Sequence, residues 1–212
     1  MPAAAITLHR RLEPEDQARA DFYALLARLY ADAPDAALLR AIAAAPPIGE
    51  DASAPSDDES LPLAWEILRA ASGAMDAEAA ADEYNNLFVG VGKSEVNLHA
   101  SHWLTGFMME KPLAELRATL SRLGLGRRPD ATLVEDHLAA LFETMRILIA
   151  GDEDRSPADL VAQRDFFAAQ IEPWIFRCCA AIRETPVANY YRRVAQFTHS
   201  FMALERDSFA ID

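Results

Sequence analysis

Within residues 17–31 the apolar side chains Phe22, Leu25, Leu26, Leu29 and Tyr30 recur at steps of three and four, which puts them on one helix face. Pro34 ends that helix, and a shorter one follows through Leu38, Leu39 and Ile42. A third contains Leu63, Trp65, Ile67 and Leu68; a fourth starts near Asp76 and carries Tyr84, Leu87 and Phe88. Gly90 and Gly92 break the pattern, leaving 89–100 irregular. Residues 103–123 return to helix with an interruption near Lys111-Pro112, and Gly124, Gly126 and Pro129 interrupt it again. Leu138, Leu141, Phe142, Met145 and Ile149 then define a strongly amphipathic helix. A polar turn over 151–156, with Ser156-Pro157 as cap and first helical residue, leads to two more helices split near Pro186. The last of these spaces Tyr190, Val194, Phe197, Phe201 and Leu204 by fours and threes.

The pattern predicts an all-α protein: one domain over 1–212, built as a bundle of about eight to ten helices. No internal repeat interrupts it. Residues 46–60, rich in proline, serine and acid, are expected to form a mobile surface loop, and 124–132 a hinge where copies could exchange helices. A monomer and a homodimer are both compatible with this pattern.

Composition narrows the function classes. Hydrophobic residues make up 51% of the 212, enough for a substantial core, and only 8 are glycine. The formal net charge of -13 would repel a phosphate backbone, which argues against nucleic acid and favours cationic partners. No apolar run is long enough to span a membrane, and Arg10-Arg11 is followed by acid rather than by an apolar export stretch. The expected location is therefore the cytoplasm. Cys178 and Cys179 are adjacent, too close for an unstrained disulfide, and read as small helix fillers.

Few residues offer chemistry. Gly90-Val91-Gly92-Lys93-Ser94 faintly echoes a phosphate loop but lacks its first glycine and a preceding strand. Glu95, His99 and His102 fall short of three well-placed metal ligands. Glu135-Asp136-His137 opens the helix of Leu138, where acids favour free N–H groups; as an acid-base pair it has no nucleophile to serve. Ser101 sits in no nucleophile elbow. The chain offers no catalytic residue, cofactor site or metal site, so an enzyme is not expected. Trp65, Trp103 and Trp174 suit either core or an apolar cleft between helices.

Four stretches in order carry a resemblance. They are Asp21 to Tyr30 (DFYALLARLY), Glu83 to Gly90 (EYNNLFVG) with Ser101 downstream, Glu135-Asp136-His137-Leu138, and Gln163 to Phe167 (QRDFF) running to Pro173-Trp174 and then Tyr190-Tyr191. Together they resemble the TorD/DmsD/NarJ family of chaperones for molybdenum-containing redox enzymes. Leu133-Val134 stands where the family usually shows proline near the Asp-His pair, and the loop after Phe88 lacks the family's prolines.

The resemblance implies a chaperone that binds the twin-arginine signal peptide, and often the body, of a molybdopterin oxidoreductase catalytic subunit. It would hold that subunit for cofactor insertion before export or assembly. An acidic protein with an apolar cleft complements a leader that is cationic in front and apolar behind. The expected contact set is Asp136 and His137 with Glu135, together with Tyr84, Leu87, Phe88, Ser101 and Trp103. Asp136 would offer charge, and Leu87, Phe88 and Trp103 apolar surface. Two other classes stay open: a helical adaptor that binds a folded partner and ignores signal peptides, and a weak nucleotide-binding protein using the Gly90 loop.

Overall fold

The computed structural model describes residues 12–49, 60–90, 94–128 and 130–211. Most of the expected acidic loop (50–59), the middle of the glycine-lysine stretch (91–93), Pro129 in the expected hinge, and Arg10-Arg11 lie outside those residues. Among the described residues the chain is a single helical bundle with no strand, as the periodicity predicts. Ten α-helices follow in order: α1 Pro14–Ala31, α2 Ala36–Ala44, α3 Leu61–Ala74, α4 Ala77–Tyr84, α5 Ala100–Thr105, α6 Lys111–Arg122, α7 Leu138–Ala150, α8 Leu160–Gln170, α9 Glu172–Glu184 and α10 Tyr190–Phe209. None of the described helices is long and apolar enough to cross a membrane.

Prolines and short acids set the boundaries. Pro14, Pro62, Pro112 and Pro173 each sit in the first turn of a helix, where a missing N–H leaves no hydrogen bond unmade. Lys111-Pro112 is therefore the start of α6, separated from α5 by a loop over 106–110, rather than an interruption within one helix. The stretch between 157 and 185 likewise holds two helices, α8 and α9, because Pro173 cannot donate back to the preceding turn and the chain bends at Ile171. The cap of α8 is Asp159, whose side chain accepts from the Ala162 N–H at 2.8 Å; Ser156-Pro157 lies before it in the turn. Gly151 closes α7 at φ 74°, and a Cβ there would collide with the Arg155 carbonyl oxygen.

Helix α1 packs along α7, and α10 lies against α9 and α3. Aromatic edges lock these layers together: Phe22 meets Trp65, Phe197 and Phe201, while Tyr23 and Tyr30 both meet Phe142. Each fully buried side chain of this size contributes about 1.5–3 kcal/mol. The tyrosine hydroxyls in the core all find partners: Tyr23 donates to Glu205, Tyr84 to the Tyr30 carbonyl and Tyr191 to the Leu29 carbonyl, while Tyr30 pairs with Thr198 and Tyr190 with Ser72. Two of the family-like stretches thus meet in the centre, Asp21–Tyr30 on α1 against Tyr190-Tyr191 on α10.

After Tyr84 the helix widens into one π turn over Asn85–Val89, closed by Gly90 N–H donating to the Asn85 carbonyl at 2.7 Å. The turn buries Leu87 completely and lays Phe88, half-buried, against Tyr30, Tyr84 and Tyr191.

Candidate functional site

The irregular segment after the π turn is sewn back to that turn and across to the start of α7. Val96 N–H donates to the Leu87 carbonyl, Ala100 N–H to the Asp136 carbonyl and Leu138 N–H to the Leu98 carbonyl, at 2.8–3.0 Å. His99 and His137 form the antiparallel bridge between the two strips, their rings edge to face 4.9 Å apart.

Asp136 is 2% exposed. Its Oδ2 accepts from the Ser101 hydroxyl at 2.6 Å and from the Ser101 N–H at 3.1 Å. Ser101 belongs to the first turn of α5, whose own cap residue, His99, supplies no side-chain bond. Asp136 therefore caps a helix 35 residues upstream of itself, with its charge at that helix's positive end. The cap of its own helix, α7, is His137, whose Nδ1 accepts from Ala139 N–H at 3.2 Å. That bond needs a neutral imidazole with its proton on Nε2. Burial, reinforced by His99, pulls His137 down to about 4, against the opposing pull of Asp136. His99 is also lowered, chiefly by burial. Glu135 takes a different path: Arg117 of α6 grips it bidentately at 2.9–3.0 Å, and this contact holds its carboxyl below the usual range.

From α5 the site opens outward. Trp103, half-buried, donates from Nε1 to the Asn97 carbonyl at 2.7 Å, and Arg177 of α9 donates to the Trp103 carbonyl. The α5–α6 loop turns at Gly106 (φ 83°) and presents Phe107 and Met109, 69% and 68% exposed, beside the exposed Leu104 and Met108. Thr105 Oγ1 donates to the Ser101 carbonyl and accepts from Phe107 N–H, Asn97 Nδ2 donates to Met108 Sδ, and Met109 N–H donates to Ser101 Oγ. A run of large apolar side chains is thus held in water by polar bonds beneath it.

The nitrate reductase delta subunit family matches residues 54–180, the segment that spans the π turn, α5, the apolar loop and the Asp136-His137 strip. This chain belongs to that family. No curated protein matches the sequence. Members of the nitrate reductase delta subunit family are maturation chaperones for molybdoenzymes and are not of a catalytic type.

For a chaperone of this family, the eight residues singled out in the sequence divide into two groups. Asp136, His137, Ser101 and Trp103 come together around the α5–α7 junction, with Glu135 at its edge. Tyr84 and Leu87 are buried in the core, and Phe88 is half-buried against Tyr30, Tyr84 and Tyr191. Asp136 and Ser101 are likewise enclosed. Helical periodicity over 103–123 hides Phe107, Met108 and Met109; a glycine followed by three apolar residues with no helical spacing is the available signal.

A cavity lies at the far end of α7, about 20 Å along its 13 residues at the helical rise. It is a groove of about 1180 Å³ with Ile149, Leu160 and Phe209 among its apolar lining residues. Seven carboxylates border it against two arginines, Arg19 and Arg155, both already paired with acids.

Proposed function

We propose that this chaperone binds the N-terminal twin-arginine signal of a molybdopterin oxidoreductase catalytic subunit in the cytoplasm, holding the subunit until its cofactor is inserted. The observation that carries the reading is the exposed Leu104, Phe107, Met108 and Met109 cluster beside the Asp136 junction, within the segment that matches the family. Methionine-rich apolar surfaces adapt to varied helical or extended segments, which suits the apolar half of a leader. The acidic groove and the net charge of -13 favour the cationic half. Full burial of one such side chain contributes about 1.5–3 kcal/mol, so half-burial of Phe107 alone is worth about three- to tenfold in affinity.

The test is fluorescence anisotropy with a labelled peptide comprising the first 30 or so residues of the molybdoenzyme catalytic subunit from the same cell. The triple variant Phe107→Ser, Met108→Ser, Met109→Ser is expected to weaken binding at least about tenfold at unchanged melting temperature, because all three side chains are solvent-facing. Unaltered binding by that variant, or equal capture of a catalytic subunit lacking its leader, would remove this reading.

A further inference from the structure

We infer that Ser101 and Asp136 are positioning residues for client binding, which act by fixing the conformation of the Phe107–Met109 loop and do not themselves touch the client. The inference rests on the proposed use of that loop as the contact surface.

Two facts make the case. The first is backbone conformation: Met109 sits at φ 59°, the one positive-φ residue other than glycine among the described residues. A side chain in that region clashes with its own backbone, and such a conformation persists only when its surroundings impose it. Exposed as Met109 is, packing does not impose it.

The second is the chain of hydrogen bonds. The Ser101 hydroxyl has one proton, and at 2.6 Å the Asp136 carboxylate takes it. The oxygen's lone pairs are then directed elsewhere, and Met109 N–H donates to them at 3.3 Å. Ser101 is fully buried and Asp136 nearly so, so the bond between them is shielded from solvent. The Ser101 carbonyl holds Thr105, which in turn holds Phe107 N–H. The Phe107 end of the apolar run thus hangs from the serine's backbone carbonyl, while the Met109 end hangs from its hydroxyl, whose orientation is set by one carboxylate. Enclosed at 2% exposure, that carboxylate presents no free charge to a basic leader.

The two roles for Asp136 separate by substitution. Both of its bonds to Ser101 go to a single oxygen, Oδ2, so an asparagine with its carbonyl oxygen there preserves them without charge. The experiment compares wild type, Ser101→Ala, Asp136→Ala and Asp136→Asn by amide hydrogen exchange of the free protein at Met109, and by anisotropy with the same labelled leader peptide. Ser101→Ala and Asp136→Ala are expected to lose protection of the Met109 amide and about tenfold or more in affinity, while Asp136→Asn keeps protection and binds within about threefold of wild type. Weak binding by Asp136→Asn with the amide still protected would make Asp136 a direct charge contact and overturn the inference. A Met109 amide that stays protected in Ser101→Ala would also overturn it, and that arm decides even if Asp136→Ala fails to fold. If the leader does not bind wild type, the proposed function falls, and the exchange data alone decide whether the relay exists.

Discussion

Removing the Glu83 carboxylate should unfasten the last helix. Glu83, 8% exposed at the end of α4, accepts three consecutive backbone N–H groups at the start of α10: Asn189 and Tyr191 on Oε1 at 2.8 Å, and Tyr190 on Oε2 at 2.9 Å. The cap residue of α10, Asn189, makes no side-chain bond of its own, so a carboxylate more than a hundred residues upstream serves a 20-residue helix. A hydrogen bond to a charged group contributes about 1.5–3 kcal/mol, and a carboxylate at a helix start adds up to about 2 kcal/mol. These contributions overlap, since all three bonds share one charge. Glu83→Ala is expected to cost about 3–5 kcal/mol, the range for an uncompensated buried partner. At about 2–4 °C per kcal/mol for a chain of this size, the melting temperature should fall by about 6–20 °C. Urea unfolding followed by the fluorescence of Trp65, Trp103 and Trp174 measures it, with Glu83→Gln as an intermediate and the exposed Glu78→Ala as a control expected within about 0.5 kcal/mol of wild type. A loss below about 1 kcal/mol in Glu83→Ala would mean that water satisfies those N–H groups and that the cap contributes nothing special.

Acid should weaken the α5–α7 junction. The folded His137 value of about 4 lies below the ordinary value of about 6.5, so between them the unfolded chain binds a proton that the folded chain refuses. Its contribution is complete above about pH 6.5 and drains as pH falls towards 4, about 3 kcal/mol in all, with His99 acting in the same direction. His137→Asn, which keeps a cap but cannot titrate, should flatten stability against pH over that interval, and an unchanged slope in urea midpoints would count against the assignment. At the other end of α7, Glu205 joins the Arg19 guanidinium at 2.7 and 3.0 Å and the Tyr23 hydroxyl at 3.0 Å. Glu205→Ala should destabilise by about 3 kcal/mol and Tyr23→Phe by about 1 kcal/mol, read from the same unfolding curves. Equal losses in the two variants would show that the Arg19 pair adds nothing.

The spacing of apolar residues was enough to determine that this chain forms helices, and where most of them run. Phe22 to Tyr30, Leu138 to Ile149 and Tyr190 to Phe201 are core faces in the structure because helical periodicity is a local property and burial acts on whole faces. The ordered motifs also carried the family. Roles for individual polar residues were not legible, because a side chain's partner can lie anywhere along the chain. Glu83 and Asp136 stand in acidic motifs that look like surface chemistry, yet each caps a helix far away in sequence, and His137 rather than a carboxylate caps α7. The apolar loop at Phe107–Met109 was hidden for a related reason: its exposure depends on a break after α5 and on bonds back to Ser101 that no local pattern encodes. Periodicity could say which faces turn inward; only the assembled bundle decides which polar atoms meet, since hydrogen bonding is specific to distance and direction while hydrophobic burial is not.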